Sequence, residues 1–110
     1  MNFNEYQKKS QETIIDLGSD KDNLIHFSLG LVGEAGEAIE RVKKVHRDKS
    51  LKFDDEDRKH LEKELGDVLW YVAQMATVLD LSLNEIAEKN IEKLQSRKAR
   101  GKLRGSGDNR

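Results

Sequence analysis

The chain has 110 residues, 37% of them charged and 35% hydrophobic, with no proline and no cysteine. A chain this short holds one domain, and these absences exclude a disulfide-stapled fold while favouring long, uninterrupted helices. Twenty basic residues against 21 acidic ones leave a net charge of −1, which excludes a global basic field for nucleic acid. Asn4, Glu5, Gln7, Lys8 and Lys9 likewise exclude a signal-peptide core or a membrane span at the start. A cytoplasmic, all-α protein of four to five helices is expected, its small core completed by association of subunits.

The first helix is expected from Asn2 to Leu17, where Phe3, Tyr6, Ile14 and Leu17 recur at helical spacing and Gly18 stands at a C-terminal cap position. The run from Ser19 to Asp22 supplies the cap of a second helix reaching about Arg47, with Ile25, Leu29, Val32, Ile39 and Val42 as its apolar series. Asp54 and Asp55 open a third helix ending near Leu79. Its stripe of Leu61, Leu65, Val68, Leu69, Val72, Met75, Ala76 and Leu79 is broad enough to centre the core. Ser82 and Glu85 read as a capping box for a fourth helix, with Ile86, Ile91 and Leu94 facing inward. The helical domain thus covers residues 1–100. Residues 101–110, with three glycines and three basic residues, form a basic tail expected to be mobile unless something binds it.

Two acidic pairs stand out. Glu34 and Glu37 are three apart on the second helix, and Glu64 and Asp67 are three apart on the third, on the flank of its apolar stripe. Both pairs can therefore meet at a helix–helix seam. Four carboxylates there repel unless cations intervene, and an all-oxygen donor set without histidine or cysteine suits Mg²⁺ or Mn²⁺ rather than zinc. Because Mg²⁺ is commonly bound through carboxylates together with substrate phosphates, a polyphosphate substrate follows. The competing reading is a solvated face with ordinary ion pairs, for which Arg41 and Lys63 are in reach.

Gly30, Gly33 and Gly36 lie inside the second helix, where each costs roughly 1 kcal/mol relative to alanine. Spaced by three, they form a shallow strip along which a helix or a ligand can approach the backbone. Trp70 and Tyr71 follow the second acidic pair. Tyr71 lies one turn past Asp67 and is the better ligand candidate, whereas core or interface packing suits Trp70. Gln7 and Gln11 share a face of the first helix from which a base can be read. His26, His46 and His60 show no E-x-x-H pairing with the acids, which disfavours a di-iron bundle.

At these residues the sequence resembles the MazG-like all-α nucleoside triphosphate pyrophosphohydrolases, whose mark is E-x-x-E on one helix and E-x-x-D on the next. Here those are Glu34, Glu37, Glu64 and Asp67, and the resemblance runs from about Phe3 to Arg97. It implies a homodimer or homotetramer that hydrolyses a nucleoside triphosphate to monophosphate and pyrophosphate with Mg²⁺. The four acids would hold the metal and position an attacking water. Asn90, Lys93 and Arg97 would contact the substrate from the last helix. Many relatives carry two adjacent glutamates where this chain has Gly33 before Glu34, which leaves the metal count and the general base open. Phosphoribosyl-ATP is an alternative substrate, and a non-enzymatic helical dimerisation or adaptor module is the alternative of another class. Nucleic-acid binding through the few basic residues of the tail is disfavoured.

Overall fold

The computed structural model describes residues 1–110 as four α-helices with no strand. Helix α1 spans Phe3–Gln11, α2 Asp20–Lys49, α3 Asp55–Val78 and α4 Leu83–Ala99. The long helices α2 and α3 pack side by side as a hairpin, and α1 lies against α3 and α4. No helix is long and apolar enough to cross a membrane.

All four helices start where the side chains demand, α1 with Asn2 Oδ1 accepting from the Glu5 N–H at 2.9 Å. Ser19, Asp54 and Ser82 each accept a hydrogen bond from the backbone N–H three residues on. The reciprocal capping box forms at Asp54 and Asp57. At Ser82 only its first half is present, and the Ser82 hydroxyl instead donates to Asn4 Oδ1 at 2.8 Å. The turn from α2 into α3 carries Ser50 and Leu51 at positive φ.

Helix α1 stops at Gln11, six residues before Leu17. Thr13, Ile14 and Ile15 are β-branched and poor helix formers. The Thr13 hydroxyl donates to Ser10 O at 2.7 Å and accepts from the Trp70 indole at 2.8 Å. Gly18, at φ +93°, serves the following turn rather than capping α1, and its N–H donates to Asp16 Oδ1. Gln7 is buried as a clamp: its amide donates to Thr77 Oγ1 and to Leu81 O and accepts from Leu83 N–H. Gln11 also donates to Thr77 Oγ1. Both glutamines hold α1 onto the α3–α4 turn.

The apolar series expected to face inward on α2 faces outward. Ile25, Leu29, Val32, Ile39 and Val42 are exposed, with Val32 at 73%. Helix α2 carries a second apolar face, and it is Phe27, Ala38 and Val45 that are buried against α3. Leu65 and Leu79 of α3, and Ile86, Ile91 and Leu94 of α4, are exposed as well. Ala73 and Ala76 of α3 and Leu83 of α4 complete the buried core. The tail folds back along α4, with Arg110 donating to the carbonyls of Lys102, Leu103 and Gly107. Those carbonyls have no helical partners of their own, so one guanidinium orders a segment expected to be mobile.

Candidate functional site

The α2–α3 hairpin brings Glu34 and Glu37 opposite Glu64. One carboxylate oxygen from each lies within 4.8 Å of the other two. Glu34 and Glu64 are half-buried and Glu37 is exposed. Glu34 Oε2 and Glu64 Oε2 are fully shielded from solvent without a hydrogen-bond partner. Two carboxylate oxygens are both acceptors and cannot satisfy each other, so only a proton or a cation between them removes the cost. Burial pushes the Glu34 carboxyl above its ordinary range, and the charges of Glu37 and Asp67 push it further.

Asp67 is exposed and stands outside the close trio, though it still raises Glu34. It also faces α1, where burial and then the Asp67 charge raise the Tyr6 hydroxyl above its ordinary pKa. The donor set is oxygen only, as a hard divalent cation requires, and the orphaned buried oxygens fit such an ion.

The glycine strip divides into two roles. A β-carbon at Gly30 would overlap the Tyr71 ring, so this glycine exists for helix packing. Gly33 and Gly36 have open space beside them and line a groove. Tyr71 is thus laid over Gly30 and set edge-on to Trp70, with ring centroids 5.0 Å apart. Trp70 meets Phe27 edge-on at 5.9 Å and is a packing residue.

The groove beside Gly33 and Gly36 has a volume of about 520 Å³ and no apolar side chain in its lining. Glu37 and Glu64 stand along it with Glu40, Arg41, Lys44 and His60. His60 Nε2 lies 3.2 Å from Glu64 Oε1. An E-x-x-H spacing does not capture this contact, because His60 precedes Glu64 by one helical turn. Arg41 and Lys44 follow Glu37 by four and seven residues, a spacing that places them on its face of α2.

Asn90, Lys93 and Arg97 are not brought to the acids within one chain. Helix α4 packs on α1, and Asn90 and Lys93 line a separate groove with Leu81, Ser82, Glu85 and Lys89. Arg97 is buried under the tail, donating to Asp108 O at 2.6 Å and standing 3.5 Å from Asp108 Oδ1. Lys93 lies 3.6 Å from the same carboxylate.

The family described as the MazG nucleotide pyrophosphohydrolase domain matches residues 24–101, a span that holds all four acids. The chain is 46% identical to the Gene 37 protein of Mycobacterium phage L5 over 114 aligned positions, covering all of both chains. No solved structure matches the chain at a significant level. With the matched span covering α3, α4 and all but the first turn of α2, the chain belongs to the MazG nucleotide pyrophosphohydrolase domain family.

Proposed function

We propose that this protein hydrolyses a nucleoside triphosphate to the monophosphate and pyrophosphate, with Mg²⁺, or Mn²⁺ in its place, held by Glu34, Glu37, Glu64 and Asp67. The observation that carries this reading is the convergence of one carboxylate oxygen each from Glu34, Glu37 and Glu64 within 4.8 Å, with a buried, partnerless oxygen on both Glu34 and Glu64. Such an arrangement costs stability in a metal-free protein and is relieved by a divalent cation. When bound, the ion neutralises phosphate charge and makes a water nucleophilic near neutral pH. The chain's own part is to hold these oxygens on two rigid helices and to leave the α2 backbone open at Gly33 and Gly36.

A second copy of the chain completes the site in this reading. The single chain exposes 8324 Å², against roughly 6,200 Å² for a compact monomer of its mass. The excess of about 2,100 Å² per chain, about 4,200 Å² over two partners, falls in the range of obligate homo-oligomer interfaces. It coincides with the uncovered apolar faces of α2 and α4. Assembly as a homodimer or homotetramer would cover them, and it offers a route for Asn90, Lys93 and Arg97 of one subunit to meet phosphates held by another. The substrate would be drawn from the cytoplasmic nucleotide pool.

Pyrophosphate release from a panel of ordinary and damaged nucleoside triphosphates and phosphoribosyl-ATP, with and without Mg²⁺, tests the proposal. Metal-dependent release is expected from at least one triphosphate, with a loss of 10²-fold or more in Glu37→Gln or Asp67→Asn. Unaltered hydrolysis in either variant would sink the assigned site. No release across the whole panel would sink the activity.

A further inference from the structure

The groove that leads away from the carboxylates carries charge of both signs in a fixed order. Along α2 its lining runs from Glu37 through Glu40 and Arg41 to Lys44, and α3 contributes Glu64 and His60. From Glu37 the helix rises about 6 Å to Arg41 and about 10 Å to Lys44, the scale of a short phosphate chain. Neither cation is engaged by a hydrogen bond. Arg41 has one nitrogen 3.5 Å from Asp57 Oδ1, and that carboxylate is more tightly held by Lys49 at 2.8 Å. The remaining donors of the Arg41 fork are therefore available to an anion. Lys44 meets only Glu40, at 3.9 Å and largely in solvent.

The lining also says what does not bind here. It has no apolar side chain, and its one ring, the His60 imidazole, is turned to Glu64 at 3.2 Å, whereas its cations and backbone suit phosphate oxygens. We infer that the Arg41–Lys44 end of the groove is a subsite for the pyrophosphate moiety, so that the two terminal phosphates of the substrate lie along α2 and the nucleoside points the other way. This assignment rests on the nucleotide hydrolysis proposed above, and it adds a direction for the substrate and two residues to the site. Buried Asp57 acts as a positioning residue, tethering Arg41 by one nitrogen while the rest of the fork faces the groove. Glu40 opposes the subsite, because its carboxylate competes with phosphate for Lys44.

Titration calorimetry with inorganic pyrophosphate, with and without Mg²⁺, reads the subsite without requiring turnover. Arg41→Gln and Lys44→Gln should each weaken pyrophosphate binding about tenfold or more, as loss of a charge-assisted bond to phosphate does. Affinity for a nucleoside monophosphate should stay unchanged, and Arg41→Lys should retain most of the pyrophosphate affinity. Glu40→Gln should tighten pyrophosphate binding, a gain that misfolding cannot mimic. Unchanged pyrophosphate affinity in the double variant, equal weakening of the monophosphate, or no pyrophosphate binding by the native chain would each overturn the subsite. A native chain that hydrolyses no nucleotide yet binds pyrophosphate through Arg41 would refute the enzymatic reading alone and leave the subsite standing.

Discussion

The Tyr71 ring fills the space that a β-carbon on Gly30 would occupy, whereas Gly36, six residues along the same helix, has open space beside it. One substitution should therefore have opposite effects at the two positions. Gly30→Ala forces the ring off its seat, an overpacking cost of about 1–3 kcal/mol that the roughly 1 kcal/mol gain in helix preference only partly offsets. Gly36→Ala should stabilise by up to about 1 kcal/mol. Urea denaturation of both variants decides the point. A destabilised Gly36→Ala would mean that another chain covers this face.

Glu34 makes the metal-free protein sensitive to pH in an unusual direction. Its folded-state pKa lies above the ordinary value of 4.5, raised first by burial and then by Glu37 and Asp67. Its contribution to stability is thus fully present below the ordinary glutamate range and is lost as pH rises through the raised value. The metal-free melting temperature of the native chain, relative to Glu34→Gln, should climb on acidification through that window. Mg²⁺ at neutral pH should raise the melting temperature of the native chain and not that of the variant. A pH-independent difference between the two proteins would contradict this account.

The corner between α2 and α3 rests on Asp57, which is 1% exposed, receives the Lys49 ammonium and the Asp54 N–H, and has Arg41 3.5 Å away. Asp57→Ala should cost about 2–3 kcal/mol through lost capping and charge-assisted bonds. Next to it, the Asp57 N–H and then the Lys49 ammonium hold the Asp54 carboxyl down at about 2. Stability from Asp54 is present above the ordinary aspartate range and lost as pH falls through about 2. In acid titrations, Asp54→Asn should be less stable than the native chain at neutral pH and converge with it near that value.

Asp108 occupies the cations of α4. Lys93 and then Arg97 hold its carboxyl below the ordinary aspartate range. If these cations meet substrate phosphate, Asp108 competes with it. Asp108→Asn should then lower KM for the triphosphate about two- to fivefold with kcat unchanged, the scale of an exposed ion pair. Steady-state kinetics over a range of substrate concentrations separates the two constants, and an unchanged KM would remove the tail from the binding step.

Much of the architecture could be read in the chain before folding. Three helix starts rest on a hydroxyl or carboxylate bonding an amide three residues away, a purely local event at Ser19, Asp54 and Ser82. The end of α1 was not legible in this way, because Trp70, 57 residues distant, claims the Thr13 hydroxyl. The clamp made by the two glutamines of α1 was not legible for the same reason, since their partners at Thr77, Leu81 and Leu83 are more than 60 residues away along the chain.

Helical periodicity was sufficient to place Glu34 beside Glu37 and Glu64 beside Asp67, since residues three apart share a helix face wherever the helix goes. Only the packing of α2 against α3 decided that Glu34, Glu37 and Glu64 converge while Asp67 stands apart. The same packing decided which apolar face of α2 is buried. Both faces satisfy the helical period, and the choice depends on where the side chains of α3 fit. Gly30 and Gly36 show the same division: their spacing marks one strip, but a ring from the neighbouring helix fills one place and leaves the other open. Periodicity is a property of one helix, whereas convergence, burial and open space belong to a pair.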